Sequence, residues 1–224
     1  GGKNGINLIE GKNLVGSYWH PNAVLIDPIF LNSLPNRELI SALGEVIKYG
    51  AILDRDFFNY VNENLFSLIE GSPNINLLYV IEKCIKLKVE IVESDELDFD
   101  MRQKLNFGHT VGHALEKYFG YEILRHGEAI SYGMLIAADL SIEYGGLSKK
   151  DYSLLSKTIR KLKLPVLPKF DVNKIIDIMS VDKKVKNGDI KFILLSEIGK
   201  AKFVNSIPNH KIIEVLKKYE YSGY

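Results

Sequence analysis

Two histidines stand four residues apart in the segment NFGHTVGH, and a third follows in RHGEA; they are His109, His113 and His126. Zinc and similar ions need imidazole nitrogens or carboxylates that converge on one point, and a catalytic site uses three protein ligands with one position left open. The zincin signature HExxH is absent, because Thr110 stands where its glutamate would be. The pattern therefore predicts a metal site whose carboxylate comes from another part of the chain.

The residues around these histidines predict a polar stripe on a helix. If residues 102–116 are helical, five polar side chains share one face: Arg102, Asn106, His109, His113 and Glu116. Gly108 and Gly112 would each cost about 1 kcal/mol relative to alanine, which makes sense if something approaches the backbone closely. A solvent-facing stripe is the alternative for a lone histidine, but this combination favours a site.

A glutamate and two lysines are further candidates. Glu45 and Lys48 stand three residues apart in GEVIKYG, away from the apolar stripe of that helix, although an exposed ion pair is the alternative interpretation. Lys88 falls on the predicted apolar stripe of another helix, which consists of Leu77, Ile81, Cys84, Ile85, Ile91 and Val92. A lysine in that position either extends its amine to solvent or meets an anion, and the pattern leaves both open.

The composition favours small-molecule chemistry. Hydrophobic residues make up 46% of the 224 positions, charged residues 25%, and the net charge of +1 gives no basic surface for nucleic acid or membranes. The longest apolar stretch, AISYGMLIAADLSIEYGG, contains Asp139 and Glu143 and predicts a buried helix instead of a membrane span. The single cysteine, Cys84, favours a cytoplasmic protein, and the start GGKNGIN without methionine suggests a fragment or processed product.

The elements that must position these residues are mainly helices. A short β-type run covers residues 23–27, and a domain boundary is expected near Pro35. Helical periodicity and capping residues predict helices at Asn36 to Ile52, Asn76 to Val92, from Asn106, from Gly127 to Gly145, from Ser148 to before Pro165, and after Asp171 and Asn209. The segments DIKFILL and KAKFV flank Gly199 and predict a small β-hairpin.

Several segments, taken in order, resemble the 3-dehydroquinate synthase family of sugar phosphate cyclases. They are GGKNGIN, EGKN, LPNRE, GEVIKYGAILD, SDE with MRQKLNFGHTVGHALE, HGEAISYGM and DKKVKNGDIKFILLSEIG. The resemblance implies a mainly α fold, in which a helical metal-binding domain with a small β-hairpin covers residues 36–224. Residues 1–35 would then be the remnant of an α/β NAD-binding domain, most of which, with its glycine-rich loop, is not in this chain.

The resemblance also implies a role for each candidate residue. Glu45, His109 and His126 match the ligands of one divalent ion, zinc or cobalt, and His113 matches an acid/base residue beside them. The substrate-binding candidates are Lys3, Asn13, Lys48, Lys88, Arg102, Asn106 and Lys191, with Lys183 and Lys184 as competitors of Lys191 for the substrate phosphate. The NAD-binding candidates are Lys3, Lys12, Phe30, Leu31, Asn32 and Ser33.

The reaction implied is the conversion of 3-deoxy-D-arabino-heptulosonate 7-phosphate to 3-dehydroquinate and phosphate in the shikimate pathway. NAD oxidises a hydroxyl transiently, phosphate leaves by β-elimination, the ketone is reduced again and an intramolecular aldol step closes the carbocycle. The family is commonly homodimeric, and without the rest of the NAD domain the chain alone is expected to be inactive. The alternatives are another cyclase such as 2-deoxy-scyllo-inosose synthase, a polyol dehydrogenase, and a non-catalytic metal-binding module. Lys88 and Arg102 favour a carboxylated substrate and so argue against the other cyclase.

Overall fold

The computed structural model describes residues 1–8, 11–70, 74–181 and 190–220, without the side chains of residues 7, 11–14 and 181. Two antiparallel hairpins, β1 (Lys3–Leu8) with β2 (Gly11–Tyr18) and β3 (Phe192–Glu197) with β4 (Lys200–Val204), lie near the two ends of the chain. Helices form the rest of the regular structure: α1 (Asn36–Leu53), α2 (Arg55–Ile69), α3 (Ile75–Ser94), α4 (His109–Tyr118), α5 (His126–Leu140), α6 (Lys149–Arg160), α7 (Val172–Val181) and α8 (Asn209–Glu220).

The predicted helix-rich fold and the late hairpin are confirmed. Gly199 lies in the β3–β4 turn with φ +93°, a conformation that glycine adopts without a steric penalty. The strand predicted at residues 23–27 is wrong, since this segment pairs with no other strand in the described structure and Leu25 is 96% exposed. The strands near the start are instead β1 and β2, which the sequence analysis did not identify, and α2 was missed as well.

Helix α5 is the centre of the core. Its residues are buried almost throughout, from Gly127 to Leu140, and α1, α4, α6, α8 and β3 pack around it. A helix that is apolar on all sides has to be enclosed in this way. Among the described helices, none combines the length and the apolarity that crossing a bilayer requires.

Glycines allow α4 and α5 to cross in backbone contact. A Cβ atom added at Gly133 of α5 would lie 1.9 Å from the carbonyl oxygen of Gly108, and one added at Gly112 would lie 2.6 Å from Ile130 Cδ1. Gly108 and Gly112 suggested that something approaches the backbone of this segment closely. The structure shows that it is α5. This contact brings the N-terminal part of α4, with His109, next to α5.

A second glycine contact joins α5 to α1. A Cβ atom at Gly127 would lie 1.8 Å from the carbonyl oxygen of Ser41, and one at Gly44 would lie 2.7 Å from the carbonyl oxygen of Gly127. The Ser41 hydroxyl accepts a hydrogen bond from the Gly127 amide at 2.9 Å. Glu45 follows Gly44 and His126 precedes Gly127, so this crossing brings those two side chains together.

Residues 102–116 are not one helix, so the predicted continuous polar stripe is wrong. A 3-10 turn covers Met101–Asn106, and α4 begins at His109 after Gly108, whose φ of +79° breaks the helical path. The left-handed conformation is disfavoured for residues with a side chain, which accounts for the glycine there. Arg102 and Asn106 therefore belong to the turn, whereas His109 and His113 belong to α4.

Candidate metal centre and substrate site

His109 and His126 both direct their Nε2 atoms toward Glu45 Oε1. His109 Nδ1 lies 3.2 Å from the carbonyl oxygen of Phe107, and His126 Nδ1 lies 3.3 Å from Glu116 Oε1. Carbonyl and carboxylate oxygens accept hydrogen bonds, so these contacts assign the imidazole hydrogen to Nδ1 in both rings. Each Nε2 atom is left with a lone pair, which is the form that binds a metal ion.

Glu45 completes this arrangement. Its Oε1 atom lies 3.7 Å from His109 Nε2 and 3.9 Å from His126 Nε2, and this buried oxygen accepts no hydrogen bond within the described part of the chain. Three electron-rich atoms that converge in this way repel one another unless a cation lies between them. Ligands that are about 2.0–2.2 Å from a tetrahedral zinc ion lie about 3.3–3.6 Å apart, so the cluster fits a divalent ion after small adjustments.

His113 lies beside these ligands on the next turn of α4. Its ring centre is 5.1 Å from that of His109 and 5.8 Å from that of His126. The three histidines offer ring nitrogens that all lie within 4.8 Å of one another, so distance alone would admit His113 as a ligand. Glu45 Oε1 is also a candidate for the third ligand, because it faces both Nε2 atoms and accepts no hydrogen bond among the residues described, whereas Lys48 pairs with the other carboxylate oxygen.

The environment keeps His109 neutral. Burial lowers the pKa of His109 well below its usual value, and the charges of Lys48 and His113 lower it further. A neutral imidazole is the form that coordinates zinc. Lys48 is itself buried and donates to Glu45 Oε2 at 2.5 Å; burial lowers the pKa of its amine, while the Glu45 carboxylate raises it.

Lys88 of α3 interacts with this cluster through Lys48. The buried residues of α3 are Leu77, Val80, Leu87 and Ile91, and Lys88 is exposed beside them. Its exposure matches the alternative in which the amine of a lysine on the apolar stripe extends to solvent. The charge of Lys88 contributes to the lowered pKa of Lys48, so the two amines interact electrostatically.

Arg102 connects the N-terminal segment to the loop before α4. Its guanidinium is buried and donates to the carbonyl oxygens of Glu96 and Gly1, each at 2.6 Å. Asn106 ends the same 3-10 turn, is partly buried and makes no side-chain hydrogen bond within the described structure. Both residues lie in the loop that leads into α4, before the histidines.

Lys3 forms a salt bridge with Asp98, which the sequence analysis did not single out. Asp98 has φ +65°, and its Oδ1 atom is buried without a hydrogen-bond donor among the residues described. Aspartate adopts the left-handed conformation more readily than most residues, and its unused acceptor makes Asp98 a candidate to bind a ligand. The acidic segment DELDFD was the available signal, but the fold-dependent contact with Lys3 was not visible in it.

Lys191 reaches the same loop from the second hairpin. Its amine donates to Gln103 Oε1 at 3.0 Å and lies 4.1 Å from the centre of the Phe203 ring. Gln103 in turn donates to the carbonyl oxygen of Asp98 at 3.0 Å. The loop before α4 therefore links Lys191 to Lys3.

For the remaining candidate residues, the structure describes no contact with the metal cluster or with the loop before α4. Lys183 and Lys184 lie outside the described residues, and Lys12 and Asn13 lie on β2 with side chains that are not described. Phe30, Leu31, Asn32 and Ser33 belong to the 3-10 turn Pro28–Ser33. The hydrogen bonds described for that turn are local, and Phe30 is exposed.

Comparison with known proteins gives the same family over most of the chain. A family model described as 3-dehydroquinate synthase C-terminal matches residues 42–185, and one described as 3-dehydroquinate synthase N-terminal matches residues 1–41. The 3-dehydroquinate synthase of Alkaliphilus metalliredigens is 43% identical over 87% of this chain and 54% of its own length. That of Nitrosomonas europaea is 40% identical over 96% of this chain and 58% of its own length. The chain thus spans little more than half the length of these relatives.

Solved structures of related cyclases share the fold. The 2-epi-5-epi-valiolone synthase of Streptomyces hygroscopicus, with NAD+ and Zn2+ bound, superposes with a TM-score of 0.88 at 27% identity over 98% of this chain and 61% of that one. A 2-deoxy-scyllo-inosose synthase complexed with carbaglucose-6-phosphate, NAD+ and Co2+ has a TM-score of 0.84 at 26% identity over 97% of this chain and 62% of that one.

Proposed function

Because the chain belongs to the 3-dehydroquinate synthase family, we propose that it is the metal- and substrate-binding part of an enzyme that converts 3-deoxy-D-arabino-heptulosonate 7-phosphate to 3-dehydroquinate and phosphate. The enzyme would be a phosphate-eliminating lyase of the shikimate pathway. The observation that carries the proposal is the buried Glu45 oxygen that faces the unprotonated nitrogens of His109 and His126 without a hydrogen-bond donor in the described structure.

Glu45, His109 and His126 hold one divalent ion, zinc or cobalt, in this proposal. Two histidines and a carboxylate suit either metal, and the solved cyclases named above contain zinc in one case and cobalt in the other. The ion supplies a Lewis acid that lowers the pKa of the substrate hydroxyl to be oxidised. Lys48 holds the second carboxylate oxygen of Glu45 and so fixes which oxygen faces the histidines.

His113 transfers protons at the same place. It is exposed and lies beside both histidine ligands. An imidazole nitrogen can accept a proton from a substrate hydroxyl and return it later. Its function is therefore separate from that of the neutral, metal-binding His109.

The cations near the site bind an anionic substrate. Lys48 donates to the Glu45 carboxylate and Lys88 interacts electrostatically with Lys48, while Lys3 and Lys191 both contact the loop before α4. The substrate carries a carboxylate and a phosphate, which lysines attract as point charges. Arg102 donates to two backbone carbonyls in this structure and would have to exchange at least one of these contacts to bind the substrate. Asn106 and Asn13 are assigned to substrate hydroxyls, and Asp98 Oδ1 offers a further acceptor for one of them.

The cofactor and the domain division belong to the same proposal. Residues 1–35 form the end of an NAD-binding domain, and residues 36–224 form the metal-binding domain. Lys3, Lys12 and residues 30–33 are assigned to binding of the cofactor. NAD, when bound, would supply the hydride acceptor for the transient oxidation. A homodimer and a cytoplasmic location also remain proposals.

A second candidate is 2-deoxy-scyllo-inosose synthesis, which the likeness to that solved enzyme favours. The two candidate functions are distinguished by an assay of phosphate release in the presence of NAD and zinc. The substrates are the heptulosonate phosphate and glucose 6-phosphate. The proteins are this chain and a chimera in which the N-terminal part of the Alkaliphilus relative precedes it. Release from the heptulosonate phosphate by the chimera supports the proposal, release only from glucose 6-phosphate favours the second candidate, and zinc binding without either reaction favours a non-catalytic metal-binding module.

A further inference from the structure

Glu116 stands behind the metal cluster on α4; its spacing placed it on the predicted polar stripe with the histidines, but it was given no role in the site. The residue is 2% exposed, and its Oε1 atom lies 3.3 Å from His126 Nδ1. On the far side of that ring, His126 Nε2 lies 3.9 Å from Glu45 Oε1. One imidazole therefore bridges a buried carboxylate and the proposed metal position.

The two histidine ligands are held in different ways. The side chain of His109 is 12% exposed, and its Nδ1 contacts the backbone of Phe107, so packing and main chain fix its ring. The side chain of His126 is 44% exposed and stands at the first residue of α5. Packing alone leaves such a ring free to rotate or to change tautomer.

We propose that Glu116 is a positioning residue, which accepts the Nδ1 hydrogen of His126 and thereby directs Nε2 of that ring toward the metal ion. A ligand histidine that donates its second nitrogen to a carboxylate keeps one tautomer, becomes a stronger base and loses about 10–100-fold in metal affinity when the partner is removed. Burial makes the carboxylate effective, since few water molecules compete for the imidazole hydrogen. The inference rests on the proposed metal site.

The test compares Glu116→Gln and Glu116→Ala with the unaltered chain, using zinc affinity measured against a competing chelator. Glutamine keeps an oxygen acceptor but removes the charge, so we expect about a tenfold higher Kd for zinc, and alanine should raise it by up to about 100-fold. Glu122→Gln, which changes an exposed carboxylate between α4 and α5, is the matched control and should leave the Kd unchanged.

Nitrogen NMR of the metal-free chain separates positioning from a general loss of structure. The His126 ring should carry its hydrogen on Nδ1 in the unaltered chain and populate both tautomers in Glu116→Ala, while His109 remains unchanged. Zinc affinities within threefold of the unaltered chain in both variants, or a His126 tautomer that the alanine variant does not alter, would overturn the inference. Failure of the unaltered chain to bind zinc would instead refute the metal site, and the tautomer would still test the contact with Glu116.

Discussion

Replacing Gly133 by alanine should force α4 and α5 apart. The added Cβ atom would lie 1.9 Å from the carbonyl oxygen of Gly108 and 2.9 Å from the Gly112 amide nitrogen. Carbon atoms need roughly 3.0–3.4 Å from such backbone atoms, so the helices must separate locally by about 1 Å. No flexible side chain can absorb the shift, because the obstructing atoms belong to the main chain.

The expected destabilisation follows from two opposing effects. Overpacking of a closely packed interior costs about 1–3 kcal/mol, and the rigid backbone contact places this substitution near the upper end. Alanine in a helix recovers about 1 kcal/mol relative to glycine. The free energy of unfolding should therefore fall by about 2 kcal/mol, which corresponds to a melting temperature about 4–8 °C lower for a chain of this length.

Thermal and urea unfolding of the metal-free chain measure this loss, and zinc titration measures its effect on the site. His109 follows Gly108 directly, so a shift of about 1 Å at that residue should separate the ligand atoms and weaken zinc binding. Gly120→Ala is the control: Gly120 also requires a positive φ, +68°, but a Cβ atom there would meet nothing within 4 Å. This control should lose about 1 kcal/mol through backbone strain and keep its zinc affinity.

The reasoning would be refuted if Gly133→Ala unfolded within about 0.5 kcal/mol of the unaltered chain, the range expected of a change that disturbs no packing. A destabilised Gly133→Ala variant that bound zinc with unchanged affinity would refute the narrower claim that the glycine crossing sets the distances between ligands.

Three further perturbations test other parts of the structure. His109→Ala should lose bound zinc, whereas His113→Ala should retain it and lose turnover in the chimera; equal metal content in the two variants, measured by elemental analysis, would contradict these assignments. Burial raises the pKa of the Cys84 thiol to about 12, and the unfolded chain releases that proton near pH 8.5, so the free energy of unfolding should fall above about pH 8.5 by up to about 1.4 kcal/mol per pH unit. Cys84→Ala should show a shallower fall in alkaline urea titrations, and an identical fall would show that the thiol does not cause it. Glu128→Gln should cost about 2 kcal/mol in urea unfolding at neutral pH, because this buried carboxylate accepts from Arg37 at 2.7 and 2.8 Å; a cost below about 0.5 kcal/mol would show that the pair is fully replaced by water.

Local patterns predicted much of the fold. The mainly apolar segment of α5 and the two β-type runs around Gly199 are signals carried by neighbouring residues, and both elements are confirmed. The period of Phe57, Val61, Leu65 and Leu68 also indicates α2, so that helix was missed although its signal was present. Hairpin β1–β2 gave no such signal, because its strands are rich in glycine and asparagine and depend on pairing with each other.

The candidate site could be predicted in its residue types but not in its geometry. Histidine spacing indicated a metal, and the glycines near α4 indicated a close approach. The backbone that approaches these glycines is that of α5 at Gly133, which is far along the chain from them. The contacts of Asp98 with Lys3 and of Glu116 with His126 depend on loop conformation and burial, which local spacing does not determine.

The most direct test of the central claim is a zinc anomalous-difference map from crystals of the zinc-loaded chain. We predict one peak within about 2.0–2.2 Å of Glu45 Oε1, His109 Nε2 and His126 Nε2, with the ring of His113 outside coordination distance. A peak coordinated by all three histidines, with Glu45 bound only to Lys48, would contradict the proposed ligand set and the separate role given to His113.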